Sequence, residues 1–559
     1  MNGDRWQAKD WRYQALAMLA GVLLAVLPHL ATRAAYGTWD FLADLDDVFY
    51  AEQARPAYHG EFEMRDPQCR SGDHVPSPYA WWQYVPWGWL TRSLGLPLTR
   101  IVLLWRLVFG GALGGVLYAI FRYMSRRSER AAEWALGLAV LCLSDFGFGI
   151  GPPIIPTWRP LACLFYLGRP PYRTAQSLVQ FRVTSPLCTL PFLLLLVHSV
   201  GASERSLRRR GLEGVLYLSI LVALYPYFWV AGAGALVGYG AMRAVQRRPR
   251  ETAMALGVVA AALLLNLPSL ERTHLTASIW DSLQVQSAYM PLSDPRRLAL
   301  LPNETAWGAL VLGLVAMRRW RVPDLAPWWW LVAIAFSGYA SAAVTGRDYF
   351  NFHFILALAP AAAILLLSLA SRYLDAWPGR GRLWLVPALF LALAVTWRPF
   401  EALRQVRCNN NSRLLQELDP MRPALQTLDE DSVLAGPAET AVAMLFGQSG
   451  QLFAHYLVIA MMPPPEVEER YVLNCWLMGM PSRRFQRESH LETLASTADQ
   501  ATLERRRLRM FLSLDTAGRQ WVERYHVRYL LLPASSPTPH RGGPWVVLSS
   551  TDRWTLYTR

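Results

Sequence analysis

Charge is what this chain has least of. Only 17% of its 559 residues are Asp, Glu, Lys or Arg, against 53% hydrophobic. That balance excludes a disordered chain and argues against a string of ordinary soluble domains. Lysine is almost missing, with Lys9 alone among 55 basic residues. Cysteine is scarce, six in all, and no Cys-x-x-Cys or His/Cys cluster has the spacing of metal ligands. Zinc-protease and Gly-x-Ser-x-Gly motifs are absent as well, which removes the soluble-type hydrolases. No internal repeat is visible, and the two halves of the apolar region differ in loop size, which weakens an inverted-repeat transporter.

What is present is a series of uncharged apolar runs from Gln14 to Thr396, and about 20 such residues cross a bilayer as a helix. The first run, 14–32, follows Arg5, Lys9 and Arg12 and lacks a cleavage site, so it reads as an uncleaved helix with a cytoplasmic N-terminus. Further spans are expected at 100–122, 131–149, 184–200, 212–225, 227–243, 252–268, 304–318, 325–343, 352–371 and 382–397. The predicted fold is an all-α polytopic membrane domain of about eleven helices over 1–397, followed by a C-terminal extracytoplasmic mixed α/β domain over 398–559. Stretches such as Ser432–Ala435 and Val527–Leu532 read as strands of that tail. Tyr225-Pro226-Tyr227 marks either a boundary between two spans or a kink in one.

The formal charge of +14 does not imply a nucleic-acid partner, because most basic residues sit in short loops between spans. Alternating the spans puts Arg126, Arg127 and Arg130, Arg208 to Arg210, Arg247, Arg248 and Arg250, Arg318, Arg319 and Arg321, and Arg372, Arg380 and Arg382 on one side. This is the cytoplasmic side of a multi-pass plasma (inner) membrane protein. Large outer loops are then expected at about 33–99 and 151–184. Trp81, Trp82, Trp87 and Trp89, and Trp328 to Trp330, read as interfacial belts. Gly111-x-x-x-Gly115 and Gly234-x-x-x-Gly238 fit close helix packing.

The first outer loop carries Asp44-Leu45-Asp46-Asp47-Val48-Phe49-Tyr50-Ala51-Glu52. Leu42, Leu45 and Phe49 fall along one side of a helix, so the segment can lie on the membrane surface with its acids at the water boundary. The plain alternative is a solvated helix start. An acidic pair, two residues, then Tyr-Ala-Glu directly after the first membrane helix resembles the first-loop motif of the GT-C glycosyltransferases, most closely the protein-mannosyltransferase and lipid A aminoarabinose-transferase branch. The resemblance extends to the loop sizes, the helix number and the external tail. The second acid, often Glu in that family, is Asp47 here.

The resemblance implies an enzyme that takes a sugar from a polyprenyl-phosphate carrier in the bilayer and passes it to an extracytoplasmic glycan, lipid or protein. Asp46 matches the family's general base; Asp47 would position the acceptor or restrain Asp46, with Tyr50 and Glu52 beside them. Such chemistry needs a carboxylate to take the acceptor proton and guanidinium groups for the departing phosphate. Arg159, Arg182 and Arg347 lie near expected outer helix ends and suit phosphate, with interfacial snorkelling as the alternative. His353 is either a phosphate contact or a packed histidine. Asp145 is either a helix-end residue or, as in some family members, a partner of the first-loop acid in holding a divalent metal; no metal is assigned. A transporter or flippase, or a silent scaffold of the same fold, are the competing readings, and the placement of ionisable residues in outer loops disfavours transport.

The arginine distribution yields a direct test. Reporter fusions active only in an external, oxidising compartment are expected to work after Pro399 and fail after Arg210, and the opposite pattern would reject this topology.

Overall fold

In the computed structural model the described residues are 8–42, 45–61, 81–126, 128, 130–143, 187–271, 304–319, 323–345, 351–375, 410–429, 431–447, 449–453, 464–488 and 500–559. In chain order the helices are α1 Ala8–Tyr36, α2 Leu45–Gln53, α3 Arg55–His59, α4 Trp81–Ser93, α5 Ile101–Met124, α6 Ala131–Leu143 and α7 Leu190–Gly201. They continue with α8 Leu207–Leu224, α9 Pro226–Val245, α10 Pro249–Leu265, α11 Glu304–Arg319, α12 Ala326–Thr345 and α13 Ile355–Asp375. The tail holds α14 Asn410–Leu418, α15 Arg422–Gln426, β1 Val433–Ala435, α16 Thr440–Ala443, β2 Gly450–Gln451, α17 Pro464–Leu477, α18 Ser482–Glu488, α19 Gln500–Arg524, β3 Val527–Pro533, β4 Val546–Ser550 and β5 Trp554–Thr558.

The chain divides into two compact units: Met1–Ala35 with Leu103–Leu270 and Met290–Cys408, and Tyr36–Val102 with Glu271–Tyr289 and Asn409–Arg559. The first outer loop therefore belongs with the tail.

The first unit is helical. Among the described residues, Ala8–Tyr36, Leu98–Met124 and Tyr227–Val245 are long and apolar enough to cross a membrane; Ala131–Leu143, Leu190–Gly201, Ala306–Arg318 and Leu356–Arg372 are shorter apolar helices. Every expected span falls on a helix except 382–397, which lies outside the described residues. At Tyr225 the backbone is extended (φ −157°, ψ 117°) and Pro226 opens α9 at a position where its missing N–H costs nothing. The sequence thus yields two helices there, both packed on α10.

Small residues set the helix contacts. A Cβ on Gly21 would clash with the carbonyl of Gly110, and one on Gly114 with the carbonyl of Ala17, so α1 and α5 meet backbone to backbone. Gly234 and Gly238 of α9 receive Ile334 and Trp330 of α12, each pair spaced i,i+4. The belt reading of the second tryptophan run is corrected here. Trp328 is fully buried in the core, Trp330 fills the Gly238 notch, and Trp329 donates its Nε1–H to the Leu310 carbonyl at 2.7 Å. Helix packing outcompetes the interface because each indole replaces water or lipid with matched protein surface.

Two features escape a hydropathy reading. Arg106 of α5 is buried and lies 2.9 Å from His29 Nε2 of α1. At one end of the bundle, Arg126 reaches Glu204 at 2.6 Å and Asp324 at 2.8 Å, and Ser203 donates to Asp324 at 2.7 Å. The connections after α5, α7 and α11, all arginine-bearing, therefore meet at a common end.

The second unit contains a five-stranded sheet in the order β2-β1-β3-β5-β4, parallel across β2-β1-β3 and antiparallel across β3-β5-β4. The two stretches expected as strands are β1 and β3. Val433, Leu530 and Leu532 of these strands form one core with Trp476, Phe485, Phe511 and Leu514 from the tail helices, and the Phe485 and Phe511 rings stack 4.3 Å apart.

The glycine contacts predict that Gly114→Val, which overpacks a closed helix pair, costs at least about 1–3 kcal/mol. Gly257→Ala, with nothing within 4 Å of a new Cβ, should be neutral or gain roughly 0.5–1 kcal/mol. Thermal unfolding in detergent would check both, and equal midpoints for the two variants would contradict the close packing.

Candidate functional site

The acidic motif folds as α2, and α2 is not a solvated helix. Asp47 and Glu52 are 0% and 1% exposed, and Val48, Phe49, Ala51 and Gln53 between and beside them are buried too. The helix is enclosed within the second unit, where it packs on α3, α4 and α16. The expectation of acids at a water boundary is corrected accordingly for Asp47 and Glu52. Enclosing an ionised carboxylate is expensive unless charge or hydrogen bonds compensate it, so two in one short helix mark a feature that packing alone would not select. Tyr50 is half-buried, stacked on Tyr84 of α4 with centroids 6.4 Å apart. Asp46 occupies the second position of α2, and its side chain lies outside the described residues.

Two arginines that motif reading missed fasten the chain on either side of this helix and at the far end of its loop. Arg55, 4% exposed, donates from Nη1 to the carbonyls of Met444 at 3.1 Å, Gly447 at 3.3 Å and Ser449 at 2.9 Å. These carbonyls lie at and beyond the end of α16, where a helix leaves acceptors unsatisfied. Arg100 pairs with Asp40 at 2.6 Å, and Thr38 and Thr99 donate to the same carboxylate at 2.6 and 2.8 Å. That cluster ties the two ends of the first loop together. The only signal for Asp40 was its place just beyond the first span; for Arg55 there was none, since its partners are backbone atoms.

His353 belongs to the first unit. It precedes α13, hydrogen-bonds through Nδ1 with the Tyr225 hydroxyl, and stacks on Tyr227 with centroids 4.7 Å apart and planes 11° from parallel. The helix break at Pro226 is what delivers both tyrosines. The packed, hydrogen-bonded alternative for His353 describes this geometry, with an aromatic cage that the sequence reading had not connected to it. Asp145, Arg159, Arg182 and Arg347 lie outside the described residues. Among the described residues, no group of three or more His, Cys, Asp or Glu is placed to hold a metal.

No protein-family model matches the chain, and no curated protein matches it. Solved structures do. The oligosaccharyltransferase AglB of Archaeoglobus fulgidus, in complex with an inhibitory peptide and a dolichol-phosphate, aligns at 10% identity over 94% of this chain and 69% of its own, with a TM-score of 0.46. ArnT of Cupriavidus metallidurans, bound to undecaprenyl phosphate, aligns at 14% identity over 99% of this chain and 98% of its own, with a TM-score of 0.43.

The Arg55 contacts predict that Arg55→Met, which keeps the length but leaves three carbonyls without their donor, destabilises the second unit by on the order of 3–5 kcal/mol. Arg55→Lys should recover part of this. Thermal unfolding with limited proteolysis of the tail would read the effect, and a wild-type midpoint for Arg55→Met would show that the contacts contribute nothing.

Proposed function

We propose that this chain is a membrane glycosyltransferase that moves a sugar from a polyprenyl-phosphate carrier to an extracytoplasmic glycan, lipid or protein, with its N-terminus in the cytoplasm. The observation that carries the reading is the burial of Asp47 and Glu52 on a helix that begins nine residues after α1 ends. A solvated helix start would leave both in water. The cost of enclosing them is understandable where a carboxylate must keep a fixed orientation.

In the proposed reaction the acceptor hydroxyl oxygen bonds to the sugar's anomeric carbon as the bond to the carrier phosphate breaks. The bonding electrons leave with the phosphate, and Asp46 takes the hydroxyl proton. Asp47, next in sequence, orients Asp46 or the acceptor, with Tyr50 and Glu52 completing that wall. Arg182 and Arg347 are assigned to balance the charge that develops on the departing phosphate, and His353, hydrogen-bonded to Tyr225, is assigned as a further donor contact. Asp145 is retained as a secondary acid.

Transfer assayed in membranes supplied with polyprenyl-phosphate sugars, at matched expression, tests the assignment. Asp46→Asn is expected to lower the rate by about 10² to 10⁴. Arg347→Ala should weaken donor use, and Arg347→Lys should restore only part because the bidentate fork is lost. If Asp47→Asn abolishes transfer while Asp46→Asn keeps it, the base moves by one residue. Full activity in Asp46→Asn, Asp47→Asn and Asp145→Asn together would remove the basis for a glycosyltransferase.

A further inference from the structure

Beside the Arg55 contacts, the second unit contains a cleft of about 230 Å³ lined by Tyr58, His59, Pro97, Leu98, Arg422, Gln426, Leu445 and Phe446. Its walls come from sequence segments more than 300 residues apart, the first loop on one side and α15 with the turn after α16 on the other. The size is below the roughly 300–1,000 Å³ of sites that take drug-sized ligands, and it suits a single ring.

The lining is amphiphilic in a specific way. Pro97, Leu98, Leu445 and Phe446 supply an apolar face. Arg422 lies over the Phe446 ring, 4.8 Å from its centroid, which fixes the plane of the guanidinium. Its Nε is buried and has no hydrogen-bond partner among the described residues. Its Nη2 pairs with Asp419 at 2.5 Å, but that carboxylate is 59% exposed, and an exposed pair of this kind is worth little and is readily exchanged. Arg92 is also near: its Nη1 lies against Gly60, the residue after His59. The Tyr58 hydroxyl donates to the Leu96 carbonyl at 3.0 Å and can still accept. Burial raises its pKa, and the charges of Arg422 and Arg92 pull it back, as two cations near one phenol must. Gln426 adds an amide donor and acceptor.

We propose that this cleft binds one anionic sugar residue, a hexose carrying a carboxylate or a phosphate, with the anion on Arg422 and the ring between Phe446 and Leu98. An anion in the cleft would compete with the exposed Asp419 carboxylate for the terminal N–H groups of Arg422 in a charge-assisted bond. The ring hydroxyls would meet Gln426, His59 and Tyr58, and the apolar face of the sugar would cover the leucines. None of the acids of α2 lines the cleft, so this site is separate from the proposed transfer chemistry and is measured without it.

The test is direct binding to the full-length chain in detergent, titrated with glucuronate, glucose 6-phosphate, glucose and inorganic phosphate. At least one charged sugar should bind, and which one distinguishes carboxylate from phosphate. Arg422→Gln should weaken that binding at least 10-fold and Gln426→Ala less, both with an unchanged thermal midpoint. Any of four results would overturn the proposal: no binding of either charged sugar to the wild type; equal affinity for glucose; equal affinity for inorganic phosphate and the bound sugar; or wild-type affinity in a folded Arg422→Gln.

Discussion

The guanidinium of Arg55 is the contact on which the second unit depends. It enters a turn that would otherwise bury the carbonyls of Met444, Gly447 and Ser449 without donors, and all three share the two N–H groups of one terminal nitrogen, Nη1. Arg55 follows α2 by one residue, so the same contact sets where the acidic helix lies against the tail. Two of its acceptors, Met444 and Gly447, flank Leu445 and Phe446, which line the cleft. Acidic helix, sheet domain and cleft are thus registered to a single side chain. The Asp40 cluster with Thr38, Thr99 and Arg100 does the complementary task of closing the loop at its stem.

The first unit is held by a different logic. Between apolar helices in a bilayer there is no hydrophobic gain in bringing one against another, so shape decides. Gly21 with Gly110, Ala17 with Gly114, and the notches at Gly234 and Gly238 that admit Ile334 and Trp330 show shape being set residue by residue. The polar exceptions lie where helices need fixing in register: Arg106 with His29, and Arg126 between Glu204 and Asp324.

The helices of the first unit were legible because a 20-residue apolar run has few alternatives, and strands β1 and β3 because they are compact β-branched and aliphatic runs. The break at Tyr225 was visible through Pro226. What could not be read was burial. Asp47 and Glu52 have the composition of a solvated helix and are enclosed by their neighbours in the fold, and the tryptophans at 328–330 have the composition of a belt, yet Trp328 is buried in the core and Trp329 and Trp330 pack against it. Hydropathy measures a residue's preference and not what the rest of the chain brings to it. Arg55 illustrates the limit most sharply, because acceptors that are backbone carbonyls leave no trace in the identity of the residues that own them. The candidate site was therefore legible as a motif, at Asp46, Asp47, Tyr50 and Glu52, but not as an environment.

The separation of Arg55 from its acceptors also governs timing. The nearest of the three, Met444, is 389 residues further along the chain. At about 5–20 residues per second, the acidic helix leaves the ribosome roughly 20–80 s before the turn that encloses it. During that interval its carboxylates have only water and the rest of the first loop around them, whatever the membrane helices have already done. Enclosure of the acids is thus one of the last events of biogenesis, and a chain interrupted before α16 would carry the whole motif in an environment unlike that of the finished protein.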